Sequence, residues 1–180
     1  MAGYNLLTPG HRSIRKYYEN VAALRDQGVL NEMSVRSPFE SLLQETARLK
    51  NWTPIAELSG KSGGARICPD GTLRDHNTLP RGYWEAKDTQ DDLDTEIKKK
   101  IARGYPLSNI IFEDTQTGVL FQSKQKIDGP YSLGNPKELV APLNQFFSYT
   151  EPDIEGSCGL IPGPVYADIS LGGSRKPPAC

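Results

Sequence analysis

The chain has 180 residues, 37% hydrophobic and 24% charged, which suits one globular domain with its own core. Its net charge is −1 at pH 7, so the composition lacks the basic excess that indicates a polyelectrolyte partner, and any DNA contact must come from local clusters. No apolar run reaches the length of about 18 residues that a membrane helix needs. The N-terminus has no signal-like apolar core, and the 3 cysteines form no paired spacing, so we expect a reduced cytoplasmic protein.

Helices and short strands alternate along the first 150 residues. Apolar spacing predicts a helix from Ile14 to Gly28, and Ser37-Pro38 predicts the start of a second. Strands are predicted at 52–58, 65–68, 72–75, 83–87, 109–112 and 119–122. A helix is predicted over 91–103, with Leu93, Ile97 and Ile101 on its apolar stripe, and another is opened by Asn135. This order predicts an α/β domain over 1–150, with a central mixed sheet flanked by helices. Residues 151–180 are rich in Gly, Pro and Ser, and we expect a disordered tail or the remnant of a truncated longer chain.

The strand at 83–87 carries the most informative motif, Glu85-Ala86-Lys87. Alternate residues of a strand face the same way, so Glu85 and Lys87 project together while Ala86 faces the opposite side. Asp75 lies ten residues before Glu85, and a bend centred on Leu79-Pro80 would place the two acids opposite each other. Carboxylate oxygens are the ligands that Mg²⁺ prefers, and a neighbouring lysine can orient or deprotonate a water molecule. The pattern therefore predicts a divalent-cation site for phosphodiester hydrolysis.

Other residues offer alternatives for the same site. Asp70 follows a proline and is equally well explained by a Pro-Asp-Gly turn. Glu40 or Glu45 could lean toward a metal from the second helix, although Glu40 also suits the first turn of that helix as an acid that complements the dipole. A second Glu-x-Lys pattern, at Glu96-Ile97-Lys98, is typical of a solvated helix face.

The segment from 69 to 114 resembles the N-terminal nuclease domain of type ISP restriction–modification enzymes. The resemblance is carried by the runs Pro69–Asp75, Leu79–Asp88, Asp91–Asp94 and Tyr105–Asp114, and it extends over about residues 5–150. These bacterial enzymes combine an Mrr-like nuclease of the PD-(D/E)XK superfamily with a helicase motor, a coupler, a methyltransferase and a target-recognition domain. None of the later domains lies within these 180 residues, so ATP would act only through a motor that this chain lacks.

The resemblance implies specific roles for the motif residues. The metal-binding acid falls on Asp75, or on Asp70 if the hairpin register differs, and the strand acid and the lysine fall on Glu85 and Lys87. The backbone carbonyl of Ala86, and Glu40, would be further ligands of Mg²⁺, for which Mn²⁺ can substitute. Apart from the resemblance, local basic clusters make Arg74, Arg81 and Lys98 candidates for contacts with double-stranded DNA that do not read its sequence, although such clusters are more often solvated helix or loop faces.

Three functions follow from these expectations. The first is a Mg²⁺-dependent DNA endonuclease domain, and the second is a catalytically silent DNA-binding or docking module with the same fold. The third, an RNA-processing nuclease, would use the same site.

Overall fold

The computed structural model describes residues 5–28, 32–62, 65–87 and 91–151. Four helices and nine strands lie in this part of the chain. The helices are α1 (Arg12–Asp26), α2 (Glu32–Leu49), α3 (Leu93–Ala102) and α4 (Pro136–Ser148). The strands are β1 (Thr53–Ala56), β2 (Gly60–Ser62), β3 (Ala65–Ile67), β4 (Gly71–Arg74), β5 (Pro80–Ala86), β6 (Asn109–Glu113), β7 (Thr117–Gln122), β8 (Gln125–Lys126) and β9 (Tyr131–Ser132).

A mixed sheet forms the centre of the domain. Its strand order is β1-β4-β5-β6-β7-β8, with β9 also paired to β7, while β2 and β3 form a separate hairpin. Within the main sheet the β5–β6 pair is parallel, and the other pairs are antiparallel. Helix α3 lies in the connection between the two parallel strands, because parallel neighbours need a crossover. The predicted α/β class, with a mixed sheet flanked by helices, is confirmed.

Each face of the sheet packs on its own apolar cluster. One face, which includes Trp84 and Ala86, packs with buried residues of α1, α2 and α4. The other face, which includes Ile110 and Phe112, packs with Leu93 and Ile97 of α3. The two faces of β5 therefore lead to different helices, and Tyr83 on β5 packs against the α3 cluster. A hydrogen bond from the Leu7 amide to Asn144 Oδ1, at 2.8 Å, ties the start of the described chain to α4.

Three local expectations need correction. The second helix begins at Glu32 rather than at Ser37, and Pro38 lies inside it, where it removes one helical hydrogen bond without ending the helix. Ile101, expected on the inner stripe of α3, is 36% exposed. The tail expected at 151–180 lies outside the described residues from 152 onward. No helix in the described ranges is long and apolar enough to cross a membrane.

Candidate active site

The hairpin of β4 and β5 brings two acids together where β4 begins and β5 ends. The register pairs Gly71 with Trp84, so continuing it by one step places Asp70 opposite Glu85. The amide of Asp70 lies 3.4 Å from Glu85 Oε2, and Asp70 Oδ2 accepts a hydrogen bond of 2.8 Å from the amide of Ala86. The predicted register, which set Asp75 opposite Glu85, is wrong. The alternative acid, Asp70, is the one that the structure brings to Glu85.

Glu85 and Lys87 point to the same side of β5, as the period of the strand predicts. Lys87 Nζ lies 3.0 Å from Glu85 Oε1, and the two side chains are 13% and 2% exposed. Ala86 is buried in the opposite cluster, with the α1 and α2 residues. The amide of Lys87 donates to the Glu113 carbonyl at 2.7 Å, which extends the β5–β6 pairing to the lysine backbone. The strand that carries Glu85 and Lys87 is therefore hydrogen-bonded on both edges, to β4 and to β6.

A second lysine reaches the site from α3. Lys100 forms an ion pair with Glu85 Oε1 and donates a hydrogen bond of 3.1 Å to the Tyr105 hydroxyl. Burial lowers the pKa of Lys100, but its bonds to Glu85 and Tyr105 and the charge of Glu85 outweigh burial and raise that pKa above its ordinary value. Lys100 is not among the site residues that the sequence pattern predicts. The available signal was its position three residues after Ile97, which places it on the buried face of the helix.

Asp75 lies at the far end of the hairpin, where it holds the turn together. Its carboxylate pairs with Arg81 through Nη2 at 2.6 Å and Nε at 2.8 Å, and accepts from the amides of Asn77 and Leu79 at 2.9 and 3.0 Å. Burial raises the pKa of Asp75, but these donors outweigh burial and lower that pKa overall. The carboxylate of Asp75 therefore stabilises the β4–β5 turn. It also binds the guanidinium of Arg81, which the sequence predicts as a DNA contact.

The two glutamates expected from α2 have different surroundings. Glu45 pairs with Lys16 of α1 at 2.5 Å. Glu40 accepts from Gln44 at 3.2 Å and lines a cavity of about 160 Å³ that Asp70 and Trp84 also line. Glu40 therefore shares a cavity with the acid of the hairpin, whereas Glu45 stabilises the contact between α1 and α2.

A separate cleft of about 240 Å³ lies on the side of β4 and β5 to which Tyr83 and, by strand alternation, Glu85 point. Thr72, Arg74 and Tyr83 line it, and the strand register pairs Thr72 with Tyr83. Arg74 Nε is buried and has no hydrogen-bond partner among the described residues. A buried donor without a partner is costly, so this guanidinium suits an acceptor that enters the cleft. Lys98, the third predicted basic contact, is exposed on α3.

A fully buried acid, Glu113, lies beneath the site on the opposite face. It pairs with Ala86 in the β5–β6 register and accepts hydrogen bonds from Trp84 Nε1 at 3.2 Å and the Thr115 amide at 2.7 Å. Burial raises the pKa of Glu113 to about 8, against the effect of these donors and with help from the charges of Asp114 and Asp70. Glu113 is therefore a carboxyl that the fold keeps protonated around neutral pH.

The donor set fits a hard divalent cation. Asp70 and Glu85 supply carboxylate oxygens, which Mg²⁺ and Mn²⁺ prefer to nitrogen or sulfur. Among the described residues, no group of three or more His, Cys, Asp or Glu side chains is arranged to hold a metal. A cation at this site would therefore depend on two side-chain acids and on backbone or water oxygens.

The hairpin that joins Pro69-Asp70 to Glu85-Ala86-Lys87, within this helix-flanked mixed sheet, has the arrangement of a PD-(D/E)XK-type nuclease fold. A solved structure that it resembles is the cryo-EM structure of a DrdV–DNA complex, with 38% identity and a TM-score of 0.75. That alignment covers 78% of this chain and 14% of the DrdV chain, so the chain spans only about one seventh of that relative.

Other comparisons add little to this assignment. A crystal structure of a candidate nuclease belonging to DUF820 from Anabaena variabilis has 14% identity and a TM-score of 0.40, with 61% of this chain and 81% of that chain covered. This similarity is too distant to support a conclusion. No protein-family model matches the chain, and no curated protein sequence matches it.

Proposed function

We propose that this chain is a metal-dependent DNA endonuclease domain in which Asp70, Glu85 and Lys87 act together. The observation that carries the proposal is the placement of Asp70 beside Glu85, with Lys87 on the same side of β5. The similarity to the DrdV chain, solved with DNA, supports DNA as the substrate. Asp70 replaces Asp75 in the proposal because Asp75 is held in the hairpin turn by Arg81.

Asp70 and Glu85 would hold a Mg²⁺ or Mn²⁺ ion, with the carbonyl of Ala86 and, at the periphery, Glu40 as further candidates. Bound there, the cation would lower the pKa of a water molecule and stabilise negative charge on the departing oxygen. Lys87 would orient the attacking water, because its ammonium group lies beside Glu85 and can donate to oxygen. The paired backbone of β5 would keep these groups in register with each other.

Basic side chains on the same side of the sheet would place the DNA. Arg74 suits this role best, because it lines the cleft beside Tyr83 and its buried Nε has no hydrogen-bond partner among the described residues. Lys98 would add an exposed, sequence-independent phosphate contact from α3. Arg81 would contribute less, since its guanidinium is already bound to Asp75.

The wider assignment, to a type ISP restriction–modification enzyme, is supported by the resemblance of the segment from 69 to 114. In such an enzyme the helicase motor, the methyltransferase and the target-recognition domain would be partners on the same polypeptide. Double-stranded DNA would be the substrate, and ATP would serve the motor alone.

Plasmid nicking in Mg²⁺ or Mn²⁺ tests the proposal directly. We expect Asp70→Asn, Glu85→Gln and Lys87→Ala to remain folded and to lose nicking by about 100-fold or more, the usual scale for a group that acts at the reacting atoms. Asp75→Asn is the matched control, because it removes one charge from the same hairpin without touching Glu85. A folded Lys87→Ala variant that cuts as fast as the parent would overturn the role given to this lysine. Parallel assays on matched DNA and RNA duplexes test the choice of DNA.

One observation favours a second candidate, a silent module that binds or docks. Glu85 Oε1 already carries two ammonium groups, from Lys87 and Lys100, which satisfy the carboxylate without a metal. Calorimetry with Mn²⁺ separates the two candidates. The endonuclease should show a saturable site that Asp70→Asn weakens, whereas the silent module should bind DNA and show no such site.

A further inference from the structure

Lys100 is held in place by two partners, Glu85 and Tyr105. It contacts Glu85 on β5, and its ammonium lies 3.1 Å from the Tyr105 hydroxyl and 4.7 Å from the centre of that ring. The Tyr105 hydroxyl in turn donates to the Cys68 carbonyl at 3.0 Å. The Lys100 side chain is 14% exposed, against 59% for its neighbour Lys99, which pairs with Glu96 on the surface of the same helix. The ammonium of Lys100 is therefore held in one position by protein contacts, whereas that of Lys99 lies in solvent.

The two oxygens of Glu85 have different partners. Lys87 and Lys100 both contact Oε1, whereas Oε2 is turned toward the amide of Asp70. A single ammonium would be enough to neutralise this buried carboxylate, so one of the two lysines is available for another task. The contacts decide which one. Lys100 is anchored a second time, by Tyr105, whereas the hydrogen bond described for the Lys87 ammonium is the one to Glu85.

An ammonium group has three N–H donors, and a donor that Lys87 gives to Glu85 cannot be given at the same time to a water molecule or a phosphate. We propose that Lys100 is a positioning residue that keeps Glu85 Oε1 occupied and thereby releases Lys87 for the reacting groups. Glu85 Oε2 stays directed toward the backbone amide of Asp70. The inference rests on the proposed nuclease function, and it assigns to α3 a role in the site besides packing.

Side-chain NMR tests the separate roles of Lys87 and Lys100 without measuring cleavage. In a nitrogen-15-labelled chain, the ammonium signals of Lys87 and Lys100 are first identified with the Lys87→Met and Lys100→Met variants. On titration with Mg²⁺ alone, we expect the Lys87 signal to shift or broaden while the Lys100 signal keeps its position. The reverse pattern, with Lys100 released and Lys87 retained, would overturn the inference and leave the proposed function standing. A titration in which neither signal responds would count against the proposed cation site itself, and the inference would fall with it.

Steady-state nicking gives a second, independent readout. We expect Lys100→Met to lower kcat by about 10- to 100-fold, the scale seen for outer partners of metal ligands, with little change in KM for DNA. Lys100→Arg should recover much of the loss, because a guanidinium can also contact a carboxylate. The control Lys99→Met removes the same charge from the same turn of α3 and should cut like the parent. Equal kcat in folded Lys100→Met and Lys99→Met would refute the positioning role.

Discussion

Replacing Glu113 with glutamine should change how the stability of this domain depends on pH. The folded state raises the pKa of this buried carboxyl from 4.5 to about 8, chiefly by desolvation. Between these two values the unfolded chain is ionised at this position and the folded chain is protonated, so unfolding releases a proton. The wild-type free energy of unfolding therefore falls as pH rises through this window.

The size of the effect follows from linkage. Each pH unit inside the window changes the free energy of unfolding by about 1.4 kcal/mol, so raising the pH from about 5.5 to about 8 should cost the parent roughly 3 kcal/mol. Glutamine does not titrate and shows no such change. It keeps one of the two N–H donors, Trp84 or Thr115, and loses the other, at a pH-independent cost of about 1–2 kcal/mol. Glu113→Gln should thus be less stable than the parent at the acid end and equal or more stable at the alkaline end.

Urea unfolding followed by tryptophan fluorescence, at several pH values across this window, measures the difference. Glu96→Gln is a suitable control, because the hydrogen bond from Lys99 lowers the pKa of Glu96 and its titration is complete below the window. Its curve should therefore run parallel to that of the parent. If the Glu113→Gln curve also runs parallel, Glu113 is ionised in the folded domain, and the explanation from burial is wrong.

Three further predictions concern the frame of the site. Gly82→Ala would place a Cβ 2.3 Å from Phe146 Cζ, so overpacking should cost about 2–3 kcal/mol and lower the Tm in a thermal scan. Asn109→Leu deprives the carbonyls of Arg81 and Phe146 of donors at 2.8 and 2.9 Å, and should cost about 2–4 kcal/mol in urea unfolding. The fold lowers the pKa of Asp75, so its ionised carboxylate stabilises the folded state at neutral pH. Asp75→Asn should therefore be less stable than the parent at neutral pH, and this difference should disappear as the pH falls and Asp75 becomes protonated in the parent.

Each of these predictions has a contrary outcome. Gly10→Ala meets nothing within 4 Å and should leave the Tm unchanged, so an equally mild Gly82→Ala would contradict the packing described for β5. An Asn109→Leu variant as stable as the parent would mean that water satisfies the two carbonyls. A folded Asp75→Asn variant that loses nicking, beside an active Asp70→Asn, would reverse the choice between the two acids.

The sequence was sufficient for the strand that carries the motif. Strand periodicity requires Glu85 and Lys87 to share a face, and the structure brings them within 3.0 Å. It did not settle which acid faces Glu85, because hairpin register depends on turn geometry. Asp75 forms the turn with Leu79 and with Thr78 in a left-handed conformation, and the register shifts between Leu73 and Arg74. Neither feature has a reliable signature in residue types.

Lys100 was missed for a related reason. Apolar spacing identifies the inner face of α3 by its Leu and Ile residues, and a lysine is assigned to solvent by default. The inner face accepts Lys100 only because Glu85, a buried acid from another element, lies opposite it. The same spacing assigns Ile101 to the inner face, yet the structure leaves this residue 36% exposed. The burial of Lys100 on this face depends on its tertiary contact with Glu85, and the sequence of α3 alone does not contain that information.

The site draws its groups from neighbouring parts of the chain. Asp70 and Glu85 are 15 residues apart, and the longest link in the cluster, from Tyr105 to Cys68, joins positions 37 residues apart. By contrast, the bond between Leu7 and Asn144 closes a loop of 137 residues. Since the entropy lost on closing a loop grows with its length, the short segment can assemble at a smaller entropic cost than the contact between the distant ends. Fraying at Leu7 and Asn144 would therefore loosen the outer helices before it disturbed the acids and lysines that surround Glu85.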